Sequence, residues 1–219
     1  METIFNPIIQ KEHKLNTKHA RIITIEGIDG AGKTSVVDNC ISELNKMGYK
    51  TNHFYTSSDL NVYWQIVKNG QKNNIINNDI NQLLHNIAFL TYLKTLFIDL
   101  LNDNDFVISE WYIYGKMVLS DLYTGKETSL SKTLLQNELD NGNILIPNYS
   151  FFIDTNPMIA HDRIMKRNNE FESKETLEML NYAYNLWYKY INKYNIEKIN
   201  GDLSIEQIAE KVLKRVINK

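Results

Sequence analysis

Residues 27–34 read GIDGAGKT, with glycine at the first, fourth and sixth positions and with lysine and threonine at the end. The segment matches the phosphate-loop pattern G-x-x-x-x-G-K-[ST] at every fixed position. Glycines let the backbone turn closely around phosphate oxygens, so that N–H groups and the positive end of the next helix bind the anion. The lysine reaches the β- and γ-phosphates, and the threonine hydroxyl ligates Mg²⁺. The segment therefore predicts a P-loop that binds ATP with Mg²⁺.

The residues on either side of this loop fit that prediction. Residues 21–26 (RIITIE) form a β-branched run typical of a buried strand, and residues 33–47 place apolar side chains on one helix face. A P-loop joins a strand to a helix in this way. We therefore expect the nucleotide to be bound by residues of the loop and the first helical turn, with Lys33 also acting in catalysis: Gly27, Asp29, Gly30, Ala31, Gly32, Lys33, Thr34 and Ser35.

Predicted strands and helices alternate along the rest of the chain, which favours a parallel sheet with right-handed crossovers. We interpret residues 21–219 as one three-layer α/β domain and residues 1–20 as an N-terminal extension. Further strands are predicted near 51–56, 106–109, 151–153 and 196–199, and further helices near 80–101, 157–167, 173–193 and 204–217.

Composition and charge narrow the class of protein. The chain has 219 residues, a net charge of −2 and a single cysteine, Cys40, which cannot form an internal disulfide. Near-neutral charge gives no indication of a nucleic-acid partner, and we expect none. Residues 1–20 hold no apolar stretch of signal-peptide length, and no apolar run reaches membrane-spanning length, so we expect no membrane association and a cytoplasmic location.

Glu110 follows the predicted strand at 106–109, at the carboxyl edge where sheets of this class place their ligands. Phosphoryl transfer needs a carboxylate near the metal ion. We predict that Glu110 holds Mg²⁺ together with Thr34, directly or through water. The alternative is an exposed carboxylate at a strand end.

Positive charge for the transferring phosphoryl group must come from few arginines, since the chain holds four. Arg163 and Arg167 lie four residues apart at the end of a predicted helix, which places both guanidinium groups on one face. We predict that this pair closes over the γ-phosphate and acts in catalysis. The alternative is a solvated helix end, which favours cations through the helix dipole.

Several of these segments resemble the thymidylate kinase family and its relatives, the deoxynucleoside kinases. The stretch IITIEGIDGAGKTS resembles the family's first strand and loop, and FVISEWY is similar to the element that ends in Asp-Arg-Tyr or Glu-Arg-Ser. The stretch IPNYSFFIDTNPMIAHDRIMKRNNEFES resembles the later strand, helix and lid. The order of motifs holds from about residue 21 to residue 217.

The resemblance implies a P-loop kinase fold with a parallel five-stranded sheet, a short lid near residues 166–173, and ATP with Mg²⁺. It implies phosphoryl transfer to a nucleotide, as in dTMP + ATP to dTDP + ADP. Family members with Gly-Ala in the loop take the catalytic arginine from the lid, which agrees with Gly30-Ala31 and the arginines beside the lid. Relatives commonly form homodimers, and we expect one here.

The sequence departs from the family pattern at residues that are expected to bind the substrate that accepts the phosphate. Trp111 stands where the family has an arginine after the carboxylate, and Phe89 lies near the position of a second arginine that holds the acceptor phosphate. The family's Arg-Glu-Pro-Gly segment is also missing. Lys116, about two helical turns further on, is a candidate replacement that binds substrate; a solvated lysine is the alternative.

Asp59 and Trp64 keep the interval between a glutamate and a tryptophan in deoxynucleoside kinases. A carboxylate at this position accepts the proton of a sugar hydroxyl in general-base catalysis. The alternative is that Asp59 caps a helix beginning near residue 60. Trp64, Phe89 and Trp111 are predicted to stack against the base of the substrate.

Three functions remain open at the level of the sequence. The first is a thymidylate-kinase-like nucleoside monophosphate kinase. The second is a kinase of the same fold that phosphorylates a neutral hydroxyl compound, such as a deoxynucleoside. The third is a degenerate nucleotide-binding protein that has lost its acceptor site.

Overall fold

The computed structural model describes residues 19–55, 65–66, 68–70, 77–125, 128–167 and 175–217. Five strands form one sheet in the order β2-β3-β1-β4-β5, and every pair of neighbouring strands is parallel. The predicted α/β fold with a parallel five-stranded sheet is therefore confirmed. The strands are β1 (Arg21–Glu26), β2 (Thr51–Phe54), β3 (Phe106–Glu110), β4 (Tyr149–Asp154) and β5 (Glu197–Asn200).

Helices flank the sheet and complete the layered architecture. Helix α1 packs against α8, and α4 packs against α2, α5 and α7. The helices are α1 (Lys33–Lys46), α2 (Asn78–Lys94), α3 (Leu96–Asp103), α4 (Ile113–Thr124), α5 (Leu130–Asp140), α6 (Pro157–Arg167), α7 (Leu177–Tyr194) and α8 (Ile205–Ile217).

The single helix predicted over residues 80–101 is wrong, because the structure divides it into α2 and α3. Thr95 leaves helical geometry, with φ −119° and ψ −85°. Its hydroxyl donates a hydrogen bond to the carbonyl oxygen of Thr91 at 2.8 Å, and Thr91 does the same to Ile87 at 2.8 Å. Such bonds from threonine to the preceding turn bend helices. The apolar pattern alone runs through this break.

Two helices, α4 and α5, had no predicted boundaries. In α4 the buried residues run almost without interruption from Ile113 to Val118, so no amphipathic period marks it. The start of α5 is capped by Ser129, whose hydroxyl accepts from the backbone N–H of Lys132 at 3.3 Å. Helix α4 is central to the site, since it leads directly away from the carboxyl end of β3.

Within the described residues, one helical stretch, Asn78–Asp103, is long and apolar enough to cross a membrane. Phe89, Leu93 and Leu101 of this stretch are buried in the hydrophobic core. The stretch thus also has the properties of a core helix in a globular domain.

Candidate active site

The P-loop is shaped by glycines in left-handed backbone conformations. Gly30 has φ 78° and Gly32 has φ 95°, which other residues rarely adopt. At Gly30, an added Cβ would overlap the main chain of Ala160 in α6. The loop is therefore held between β1 and α6 by main-chain packing, and only glycine fits at residue 30.

The end of the loop becomes the start of α1. Gly32 occupies the N-cap position, and no side chain caps the helix there. The first N–H groups of a helix lack partners within the helix and carry partial positive charge. Thr34 and Ser35 in this first turn are exposed. An anion such as a nucleotide phosphate therefore has N–H donors available at this helix terminus.

The Lys33 side chain is buried and folds back onto the loop. Its ammonium donates to the carbonyl oxygen of Ile28 at 3.0 Å and to Asp29 Oδ1 at 3.3 Å. The indole of Trp111 lies 4.3 Å from the ammonium, measured to the ring centroid. The positive charge is thus held beside the phosphate cradle by a carbonyl, a carboxylate and an aromatic face.

Thr34 and Glu110, the two predicted metal ligands, meet at the carboxyl edge of the sheet; their role as ligands stays a prediction. The Thr34 hydroxyl donates to Glu110 Oε2 at 3.1 Å. Burial raises the pKa of Glu110, and the positive charge of Lys33 opposes that effect. A hydroxyl and a carboxylate are the oxygen ligands that Mg²⁺ prefers. The described residues contain no group of three or more His, Cys, Asp or Glu side chains able to hold a metal ion. This sparse set fits Mg²⁺ bound largely by phosphates and water.

Helix α6 brings Arg163 to the loop. Its guanidinium Nη1 lies 3.5 Å from the carbonyl oxygen of Gly30 and 3.4 Å from that of Ala31. The Thr155 hydroxyl also donates to the Ala31 carbonyl, at 3.4 Å. Arg167 is the last residue of α6 and is exposed. Arg163 therefore contacts the cradle, whereas Arg167 lies at the end of the helix that leads into the predicted lid.

Phe89 does not present a ring face to a ligand. It is 0% exposed and meets Tyr112 edge to face, with 5.5 Å between ring centroids. The predicted stacking of Phe89 against a base is therefore wrong in this conformation, because the ring is enclosed in the core. An apolar side chain on this core-facing side of α2 is buried by its neighbours.

Lys116 is buried in α4, so the alternative of a solvated lysine is wrong. Its side chain lies near the Phe89 ring, with 5.8 Å from the ammonium to the centroid. Burial lowers the pKa of Lys116 to about 8, and the negative charge of Glu26 opposes the shift. A buried ammonium thus lies in the first turns of α4, close enough to Glu26 for the two charges to interact.

Trp111 has an unusual backbone. Its φ of 54° is left-handed, which is uncommon for a bulky residue and marks local strain. This geometry turns the indole towards Lys33, while Trp187 lies behind it with 6.3 Å between ring centroids. Trp111 therefore lies next to Lys33, the lysine of the P-loop.

Glu26 is a buried acid that the sequence analysis did not assign to the site. It is 0% exposed; its Oε1 accepts from the backbone N–H of Tyr112 at 3.1 Å, and its Oε2 has no hydrogen-bond partner among the described residues. Burial raises the pKa of Glu26 to about 8, against the positive charges of Lys33 and Lys116. A Cβ on Gly115 would lie 2.6 Å from Oε2, so a larger residue there would displace the end of the Glu26 side chain. The signal in the sequence was a charged residue ending an apolar strand.

His53 on β2 is the second residue missed. Its Nε2 lies 3.7 Å from Glu110 Oε1, and burial lowers its pKa to about 4, against the opposing charge of Asp38. A histidine in a predicted strand gave no indication of this neighbour, because β2 and β3 are far apart along the chain.

The structure thus brings Lys33, Thr34, Glu110, Trp111 and Arg163 together at one edge of the sheet. Asp59 and Trp64 lie outside the described residues, as does most of the predicted lid. Their predicted roles stay predictions.

Comparison with known proteins gives a consistent family assignment. The family model described as thymidylate kinase matches residues 25–212. A thymidylate kinase of Leptospira interrogans is 25% identical over 202 residues, covering 91% of this chain and 95% of the relative. The thymidylate kinase of Buchnera aphidicola is 24% identical over 206 residues, covering 90% and 95%. That of Legionella pneumophila is 23% identical over 202 residues, covering 88% and 92%.

The family model spans most of the described structure, from β1 to α8. It includes the P-loop, the Thr34–Glu110 contact and the arginines of α6. The resemblance stated from the motifs is confirmed: this chain belongs to the thymidylate kinase family.

Proposed function

We propose that the chain transfers the γ-phosphate of ATP to a nucleoside monophosphate, with dTMP as the first candidate acceptor (dTMP + ATP to dTDP + ADP). The observation that carries this proposal is the convergence of Lys33, Thr34 and Glu110 on one P-loop, in a chain of the thymidylate kinase family. Backbone N–H groups of the loop and of the start of α1 bind the donor phosphates.

On the side of the site that binds ATP, each side chain has one proposed role. Lys33 exchanges its contact with Asp29 for the β- and γ-phosphates, a short movement because the ammonium already lies beside the loop. Thr34 and Glu110 would hold Mg²⁺, which would supply positive charge against the negative charge that develops during transfer. Arg163 orients the loop carbonyls of Gly30 and Ala31.

Arg167 is proposed as the catalytic arginine of a lid over residues 166–173. As the last residue of α6, it is placed where the chain leaves the loop-contacting helix. A guanidinium there stabilises the negative charge spread over the transferring phosphoryl group.

The homodimer and the N-terminal extension also stay predictions.

Lys116 is proposed to bind the acceptor phosphate, in place of the arginines that Trp111 and Phe89 replace. A buried ammonium is costly unless an anion pairs with it, and Glu26 acts on Lys116 as a nearby charge, with no direct ion pair between these two described residues. A phosphate dianion brought to Lys116 would be a direct, charged partner. An oxygen of this phosphate then attacks the γ-phosphorus in line with the departing ADP.

A neutral acceptor, such as a deoxynucleoside, is the second candidate. The specific observation in its favour is that Trp111 and Phe89 offer no positive charge to an acceptor phosphate. Phe89 is enclosed in the core and Trp111 faces Lys33. If Asp59 is the general base, the attacking group is then a sugar hydroxyl.

A panel of dTMP, thymidine and the other common monophosphates and nucleosides, each with Mg²⁺–ATP, tests the proposal. Product formation is followed by separating the nucleotides, and Lys33→Ala prepared in parallel identifies contaminating kinases. We expect dTDP from dTMP. Turnover of nucleosides alone would favour the neutral acceptor, and ATP binding without turnover of any acceptor would favour a degenerate protein.

A further inference from the structure

His53 is a buried imidazole whose surroundings leave it without a hydrogen bond. The residue is 8% exposed, and neither ring nitrogen has a hydrogen-bond partner among the described residues. Burying polar nitrogens without partners costs free energy, so a native site with such groups needs an explanation. The position next to the candidate metal ligands suggests one.

The imidazole completes a line of polar groups at the carboxyl edge of the sheet. Thr34 donates to Glu110 Oε2 at 3.1 Å, while the other oxygen, Oε1, lies 3.7 Å from His53 Nε2. The second distance is too long for a hydrogen bond, and closing it requires a movement of less than about 1 Å. His53 and Thr34 thus face opposite oxygens of the same carboxylate.

The orientation of the ring is fixed by packing. His53 pairs with Ile108 in the parallel ladder between β2 and β3, and Glu110 lies two residues beyond Ile108 on the same strand. The ring of Tyr55 lies against the imidazole, tilted by 39°, with 3.6 Å between ring centroids. Because strand register and ring contact both restrain it, the imidazole keeps the same approach to Glu110.

We propose that His53 is a positioning residue for the metal–nucleotide complex: its Nε2–H donates to Glu110 Oε1 and leaves Oε2 directed at Thr34 and the Mg²⁺ of bound ATP. The proposal rests on the ATP–Mg²⁺ part of the proposed function and is independent of the acceptor. A carboxylate that binds a metal through one oxygen otherwise rotates between binding modes. Hydrogen bonds to ligating carboxylates restrict that rotation, and removing them typically weakens metal binding about 10- to 100-fold.

Two substitutions separate the hydrogen bond from the packing. His53→Phe keeps a ring against Tyr55 but has no donor, whereas His53→Gln keeps an N–H donor near the position of Nε2. Thr51→Val is the matched control, since Thr51 lies on the same face of β2 and its buried hydroxyl also has no hydrogen-bond partner among the described residues. Each variant is checked for folding by its melting temperature.

The measurement is the affinity of each protein for Mn²⁺ in the presence of a non-hydrolysable ATP analogue, by electron paramagnetic resonance, with metal-free analogue affinity measured separately. We expect His53→Phe to weaken Mn²⁺ binding about 10-fold with unchanged metal-free nucleotide affinity, and His53→Gln and Thr51→Val to change it less than about 3-fold.

Unchanged Mn²⁺ affinity in His53→Phe overturns the inference, as does an equal loss of metal-free nucleotide binding. Because no acceptor is present, failure of dTMP turnover in the wild type leaves a positive result valid and refutes only the acceptor assignment. A wild-type protein that binds no metal–nucleotide complex overturns both.

Discussion

The donor and acceptor halves of the site are built in different ways. The donor half rests on a main-chain framework: Gly30 packs against the backbone of Ala160, and the uncapped start of α1 supplies N–H groups. The proposed acceptor half depends chiefly on a single side chain, the buried Lys116. A site made of backbone tolerates little change in sequence, whereas a site made of side chains is altered by single substitutions. The P-loop pattern is accordingly complete, and the acceptor arginines are replaced.

The largest effect is expected from Lys33→Ala, which removes the P-loop ammonium that we propose binds the donor phosphates. We expect kcat/KM to fall at least about 10³-fold and ATP affinity to weaken. Steady-state kinetics and titration calorimetry measure the two quantities. The control is Lys46→Ala, because Lys46 is an exposed residue of the same helix that pairs with Glu43. Unchanged kinetics in Lys33→Ala would contradict the proposal that Lys33 of the P-loop binds the phosphates of ATP and acts in catalysis.

Substitutions of the two α6 arginines should differ in kind. Arg167→Ala is expected to lower kcat about 10²-fold with little change in nucleotide affinity, because its charge acts on the transferring group. Arg163→Ala should weaken nucleotide binding as well, since Arg163 contacts the loop carbonyls. Lys166→Ala is the control, as Lys166 pairs with Asp162 at the surface. If Arg167→Ala leaves turnover unchanged, Arg167 has no role in the mechanism.

Lys116→Met sharpens the comparison on the acceptor side. Loss of a charged hydrogen bond to the acceptor phosphate should raise the KM for dTMP about 10- to 100-fold. The affinity for ATP alone should stay the same, because no described contact joins Lys116 to the P-loop and we assign it to the acceptor. Kinetics at varied dTMP, with calorimetry for ATP, separate the two. An equal loss of ATP affinity would contradict the assignment of Lys116 to the acceptor.

The last expected effect concerns stability and is confined to a pH window. Burial raises the pKa of Glu26 from its usual 4.5 to about 8, so between these values the folded state binds more protons than the unfolded state. The free energy of unfolding therefore falls as pH rises from about 5 to 8 through this group.

Glu26→Gln keeps the neutral form at every pH, so the variant should lose this slope and gain stability relative to wild type mainly near pH 8. Urea unfolding at several pH values measures it. Parallel pH profiles for the two proteins would show that Glu26 is ionised with little cost, and that the interior beside the P-loop is more polar than its burial indicates.

The sequence predicted the elements whose signals are local. The P-loop is a contiguous pattern, and the strands β1 and β3 are short β-branched runs between polar residues, so their positions matched closely. The break at Thr95 was missed because it arises from side-chain hydrogen bonds within an unbroken apolar pattern. The burial of Phe89 was missed for a similar reason: periodicity gives a face of a helix but not the neighbour that covers it.

Parts of the site that depend on contacts between distant segments could not be predicted from the sequence either. His53 meets Glu110 only because β2 lies next to β3 in the sheet. Glu26 and Gly115 are neighbours because α4 turns back beside β1, and no spacing in the chain encodes that approach. Chemistry carried by a motif was predictable, and chemistry created by tertiary packing was not.

The contact between Trp111 and Lys33 has a practical consequence for experiments. Indole emission responds to nearby charge, and the charge of this ammonium lies 4.3 Å from the ring centroid. In a Trp64→Phe protein, which removes the third tryptophan of the chain, an anion that draws the ammonium away alters the emission of Trp111, whereas Trp187 is fully enclosed and supplies a constant background. The protein thus carries an intrinsic fluorescent reporter of occupancy, and nucleotide titrations need no attached dye.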